Sequence, residues 1–185
     1  MRRKRGDWLG VGFRLLRDEG EQALTLERLC AEMKLTRGSF YHHFGMMADY
    51  RQALLHGWQD DLTGAVIQQL PDGGSGVDSP KELGERVARL DHRLDLAFRV
   101  WSLRDPEVKA VMDEVDARRL AALTELHRQA GHPRAAELAQ LEYASFIGSQ
   151  ALGWGQDRAA LRGLHAQALG LLAQSLREPS PTPAL

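Results

Sequence analysis

The stretch from Leu24 to Tyr50, LTLERLCAEMKLTRGSFYHHFGMMADY, constrains this chain more than any other, because two short helical patterns there leave no room for a loop between them. Thr25 stands just before Leu26, Leu29, Cys30 and Met33, the i, i+3, i+4, i+7 spacing of a helix buried on one face. Only Lys34 and Leu35 connect it to Thr36, which offers a second hydroxyl cap to a helix predicted over 37–43. Two helices joined so closely must cross steeply. In the second, Phe40 and Phe44 lie four residues apart and face the core, leaving Arg37, Ser39, Tyr41 and His42 for the outer surface. A packed helix that turns donors outward suits a polar partner, and a unit of this kind lays its second helix in the major groove of DNA. Gly38 costs roughly 1 kcal/mol of helix propensity relative to alanine. A backbone that must approach a phosphate closely would account for it, and so would an incidental first-turn glycine.

At Gly20, Leu24, Thr25, Leu29, Ala31, Gly38, Phe40, Tyr41, His43, Phe44 and Asp49 the chain resembles the TetR family of bacterial transcriptional regulators. The Phe40-Tyr41-His42-His43-Phe44 run at the end of a helix-turn-helix is its specific part. The resemblance covers about residues 7–58, and beyond it only the helical layout is similar. It implies an all-α chain in which an N-terminal three-helix, helix-turn-helix DNA-binding domain precedes a helical ligand-binding and dimerisation domain. The residues expected at DNA are Arg3, Arg5, Thr25, Thr36, Arg37, Gly38, Ser39, Tyr41, His42 and His43. One departure stands out: the family usually carries a phosphate-contacting lysine three residues after the phenylalanine, where this chain has Met47. Losing one such contact should weaken binding and lower the salt slope by roughly one unit. Arg37, Arg51 and the N-terminal arm remain to supply charge.

That arm, Met1-Arg2-Arg3-Lys4-Arg5, precedes any apolar period. It either follows the DNA backbone or a minor groove, or is a solvated tail. Residues 1–50 hold nine Lys/Arg against seven Asp/Glu, whereas residues 51–185 hold fifteen against eighteen, so the basic bias sits with the helix-turn-helix. No stretch approaches the roughly 18 apolar residues of a membrane span, and the charged start leads into an amphipathic segment with Arg14 inside, unlike a signal peptide. A single cysteine, Cys30, excludes an internal disulfide and makes a reducing cytoplasm the simplest compartment. Its place on the apolar face predicts a buried thiol.

The remainder reads as a succession of helices without strand-like alternation or internal repeat. Trp8, Val11, Leu15 and Leu16 make a first helix that ends at Gly20 and braces the reading pair. A long helix is predicted over about 46–70, broken by the flexible Pro71-Asp72-Gly73-Gly74-Ser75-Gly76 segment. Further helices are predicted over about 80–103, 106–130, 134–153 and 157–177. The domains are then 1–50 for DNA, 51–177 for ligand and dimerisation, and a disordered proline-rich tail over 178–185. Leu161, Leu164, Ala168, Leu171 and Leu172, with the small-residue stripe of Ala144, Gly148 and Ala151, form either a partner surface or intrachain core. In the family the corresponding helices of two subunits pack as a four-helix bundle, which implies a homodimer through the last two helices. Two reading helices would then reach two half-sites of a double-stranded operator.

The resemblance also implies a pocket for a small-molecule effector, whose identity the sequence does not give. Trp58, His92, Phe98, Trp101, Met112, Tyr143, Phe146 and Trp154 are candidates for its lining, although ordinary core packing accounts more simply for each of them. Enzymatic chemistry finds no footing, since there is no HExxH, no P-loop, no GxGxxG and no GxSxG, and no cofactor is implied. A metal site could arise only from histidines assembled across helices. Two readings compete: a ligand-responsive DNA-binding regulator, most simply a repressor, and a helical interaction or ligand-binding module whose helix-turn-helix has lost specific DNA binding.

Overall fold

The computed structural model describes residues 4–59, 80–87, 90–153 and 159–175. Among the described residues there are nine α-helices and no strand: α1 Arg5–Glu19, α2 Leu26–Met33, α3 Arg37–Tyr41, α4 Met47–Trp58, α5 Pro80–Val87, α6 Arg93–Ser102, α7 Pro106–Gln129, α8 Ala135–Ala151 and α9 Ala159–Ser175. The all-α class read from the sequence is the class of the chain. Arg3, Trp154, the glycine-rich segment at 71–76, the extension of α4 toward residue 70, the start of the last helix near 157 and the tail at 178–185 lie outside the described residues.

Helix boundaries have local causes. The Lys4 backbone N–H donates to Asp7 Oδ2 at 2.7 Å, so α1 starts at Arg5 and takes up a residue expected in the arm. It stops at Gly20, whose φ of 88° suits a residue without a Cβ. Helix α7 opens on Asp105-Pro106: Asp105 Oδ1 accepts from the Glu107 and Val108 N–H groups at 3.0 and 3.3 Å, and Pro106 has no N–H to leave unpaired. Gly131, at φ 72°, ends the turn that follows.

The single helix expected over 80–103 is two helices. Asp91 Oδ1 accepts from the backbone N–H of Arg93 at 3.1 Å, and its carboxylate also takes the Arg93 guanidinium at 2.8 Å. An aspartate that bonds the N–H two residues on offers the backbone an alternative to the helical ladder, so the apolar periodicity runs through while the helix does not. The side-chain bond from Arg93 holds the Asp91 carboxyl at about 2, below the usual carboxylate range.

The chain divides into two compact units. The first contains α1 to α4, α6 and α7 as far as Val115. Its core runs from Trp8, Leu15, Leu16, Leu29, Phe40 and Phe44 through Tyr50, Leu54 and Trp58 to Phe98 and Trp101. Helices α1 and α4 pack tightly at Gly12, where an added Cβ would lie 1.9 Å from Tyr50 Oη. The Tyr50 hydroxyl donates to the Trp8 carbonyl at 2.9 Å, and burial pushes its phenol well above the usual range.

The second unit contains α5, α7 from Asp116, α8 and α9. Leu123, Leu126, Leu138 and Ala139 are buried there, with His127 beside them. The His127 imidazole lies 2.9 Å from Glu142 Oε2 through Nε2 and 2.8 Å from His132 Nδ1 through Nδ1. A bond between two ring nitrogens needs one donor and one acceptor, so a single proton sits between them. Leu141 and Leu152, and Leu164, Leu171 and Leu172 of α9, are exposed. No described helix is long and apolar enough to cross a membrane.

Candidate nucleic-acid interface

Hydroxyl caps and one strained residue set the turn between α2 and α3. Thr25 Oγ1 accepts from the Arg28 N–H at 3.2 Å and Thr36 Oγ1 from the Ser39 N–H at 3.4 Å. Lys34 adopts the left-handed conformation at φ 55°, and Leu35 donates back to the Cys30 carbonyl at 3.0 Å. A non-glycine residue held there costs of order 1 kcal/mol, which the two flanking helices must impose. Helix α3 is shorter than the expected 37–43, since His42 and His43 fall in the turn after Tyr41.

Phe40 anchors α3. Its ring is fully buried, with centroids of Trp8, Phe44 and Tyr50 at 5.4, 5.2 and 5.4 Å. With that face fixed, Arg37, Tyr41 and His42 are exposed on the other, while Ser39 and His43 are half-buried. Gly38 is exposed, and a Cβ there would meet only Thr36 Oγ1 at 3.8 Å. Nothing inside the protein requires a glycine at this position. Gly38→Ala is therefore expected to raise thermal stability slightly, by about 0.5–1 kcal/mol, while weakening DNA binding if the backbone approaches a phosphate. Unchanged affinity in a gel-shift titration would make the glycine incidental.

Residues 9–53 match the family described as bacterial regulatory proteins, tetR family. These residues form a TetR-family helix-turn-helix domain. Solved structures extend the likeness over the chain as a fold. A TetR/AcrR family member aligns with TM-score 0.71 and 19% identity over 93% of this chain and 97% of its own. GusR of Salmonella enterica aligns with 0.66 and 18%, over 93% and 92%. The reduced form of E. coli NemR gives 0.64 and 18%, over 97% and 99%. No curated protein matches.

Within this TetR-family domain the charges are arranged in pairs. Arg37 Nη2 donates to Glu27 Oε1 at 2.6 Å, Arg28 Nη2 to Glu19 at 2.8 Å, and Arg14 Nη2 to Glu32 at 2.7 Å. The bond from Arg14 holds the Glu32 carboxyl below its ordinary value. Arg5 lies over the Phe44 ring at 5.1 Å. Arg51, expected to supply charge toward DNA, turns instead to Asp105, with its guanidinium 5.0 Å from the Trp101 ring centroid. Met47, at the position where the family usually has lysine, is half-buried against the core. Cys30 is half-buried rather than fully buried, and that burial pushes its thiol up.

The candidate effector residues divide between the units. Trp58, Phe98, Trp101 and Met112 are buried in the first, where Trp58 stacks on Phe98 at 4.5 Å and Phe98 on Trp101 at 5.9 Å. His92 is half-buried just before α6. Tyr143 and Phe146 are half-buried on α8 in the second unit. There the Tyr143 hydroxyl donates to Asp116 Oδ1 at 2.7 Å, and burial pushes its phenol up to about 12. Sequence reasoning missed the Glu27–Arg37 and Arg51–Asp105 pairs, whose partners are 10 and 54 residues apart. Among the described residues, no three His, Cys, Asp or Glu side chains converge on a point suited to a metal ion.

Proposed function

We propose that this chain is a sequence-specific DNA-binding transcriptional regulator, a repressor that a small molecule releases from its operator, working in the cytoplasm as a homodimer. One observation carries the reading: within the segment that matches the TetR family, α3 buries Phe40 and presents Arg37, Tyr41 and His42 outward. In this reading residues 1–50 bind DNA and 51–177 bind the effector and the second subunit. Arg37 and Ser39 reach base edges or phosphates, Tyr41, His42 and His43 meet backbone or bases, and Thr25, Thr36 and Gly38 bring helix ends to phosphates. Arg3 and Arg5 lie along the duplex.

Exposed Leu141, Leu164 and Leu171, at 45%, 61% and 67%, support an interface built from α8 and α9. Light scattering at twice the 20.6 kDa protomer mass checks it, and a protomer mass at micromolar concentration would refute it. Trp58, Phe98 and Trp101, stacked in the first unit with Met112 and His92, and Tyr143 and Phe146 in the second, are the apolar surfaces each unit offers an effector. An effector acts by favouring the state that DNA does not, with a coupling of typically about 1–3 kcal/mol.

The test is binding to DNA from the chain's own upstream region, in competition with unrelated DNA across a salt series. Competitor-resistant binding supports the regulator. Weak binding to every sequence, including pools selected from random DNA, refutes it and favours the interaction module. The half-buried Met47 and the paired arginines are what that alternative has in its favour. Tyr41→Ala is expected to weaken operator binding about 10-fold or more, the scale of 1.4 kcal/mol, with dimerisation intact. Unchanged affinity would refute the docking of α3.

A further inference from the structure

Arg37 opens the reading helix, yet a neighbouring carboxylate already holds it. Its Nη2 donates to Glu27 Oε1 of α2 at 2.6 Å, and the two side chains are 65% and 66% exposed. An exposed pair of this kind contributes little to stability. The turn does not depend on it either, being fixed by the caps at Thr25 and Thr36 and by the Lys34 backbone. The pair acts on the guanidinium instead. A planar fork bonded at one corner is biased in its orientation, while Nη1, Nε and the second Nη2 hydrogen keep no partner among the described residues, so one two-donor edge, Nη2 with Nη1 or with Nε, stays open. Guanine is the base whose major-groove edge, O6 with N7, takes two such donors at once. The carboxylate, exposed beside Arg37, has a second effect: it repels phosphates at any sequence that gives Arg37 nothing in return.

We propose that Glu27 is a positioning residue that presents Arg37 to a guanine in the major groove and lowers binding to other DNA. This rests on the DNA-reading function proposed above. The surroundings fit, since Arg28 and Arg14 are likewise tied to carboxylates, so fewer of the domain's cations are open to bind any duplex. Discrimination then has to come from placed donors rather than from charge.

The experiment compares the full-length wild type with E27A, E27Q, R37A and E27A/R37A, on the upstream duplex and on a random-sequence duplex of the same length, across a salt series. Without the carboxylate, E27A should bind the random duplex about 3- to 10-fold more tightly, with a salt slope steeper by about one. It should not gain on the upstream duplex, so the ratio of affinities falls about 10-fold. E27Q keeps a carbonyl acceptor for Arg37 and should recover part of the ratio. In the R37A background, E27A should move the ratio less than about 2-fold. Replacing one guanine of the upstream duplex by 7-deazaguanine should weaken the wild type but not R37A. Equal gains on both duplexes, or the same fall in ratio without Arg37, would overturn the role of Glu27 while leaving the DNA reading intact. A wild type that distinguishes no duplex would overturn that reading itself.

Discussion

Phe40→Ala is expected to lower stability by about 3–5 kcal/mol, the cost of emptying a fully buried aromatic site. That is comparable with the whole stability of a small domain, about 5–15 kcal/mol. The loss reaches beyond transfer of one ring, because Trp8, Phe44 and Tyr50 all pack on Phe40 with centroids near 5 Å and would have to collapse into the space. Since α3 is only five residues long, its own hydrogen bonds cannot hold it in place. The variant should therefore lose DNA binding together with stability, whereas Tyr41→Ala, on the exposed side of the same helix, loses binding alone. Urea unfolding with a paired shift assay separates them. A midpoint for Phe40→Ala within about 1 kcal/mol of wild type would mean that other contacts orient α3.

Gly12→Ala is expected to destabilise by about 2–3 kcal/mol, although alanine is the better helix former by about 1 kcal/mol. The added methyl would lie 1.9 Å from Tyr50 Oη and 2.5 Å from Leu54 Cδ1. Tyr50 cannot swing aside freely, because its hydroxyl supplies the buried bond to the Trp8 carbonyl. Leaving that buried hydroxyl donor unpaired costs a further 1 kcal/mol or more, on the order of a typical desolvation penalty. Gly10 on the same helix is the internal control, since a Cβ there has open space and alanine should stabilise. Adding Tyr50→Phe to Gly12→Ala removes the clashing oxygen and should restore part of the loss. If Gly12→Ala melts with or above Gly10→Ala, α1 and α4 have room to separate.

What the sequence made legible followed from local rules. Thr25 with Leu26, Leu29 and Met33, and Thr36 with Phe40 and Phe44, each state a cap and a buried face within one or two turns, and both appear in the fold. The end of α1 at Gly20 and the start of α7 at Pro106 rest on backbone chemistry that a single residue dictates. Asp91 was opaque, because the helical pattern expected over 80–103 gives no sign of the side-chain bond to the Arg93 N–H that accompanies the break. The charge pairs were opaque for another reason. Glu27 meets Arg37 across a turn and Arg51 meets Asp105 across 54 residues, so the cationic appearance of the first 50 residues said nothing about how their arginines are occupied.

Asp105 carries two loads at once: one carboxylate caps the first turn of α7 and also grips Arg51 on α4, the helix that follows the reading pair. Displacement of Arg51 alters the electron density and orientation of the acceptor that the Glu107 and Val108 amides use. Those two amides are therefore built-in spectroscopic reporters. Their proton chemical shifts should track the position of α4 in solution, without a label and without a mutation in the DNA-facing surface.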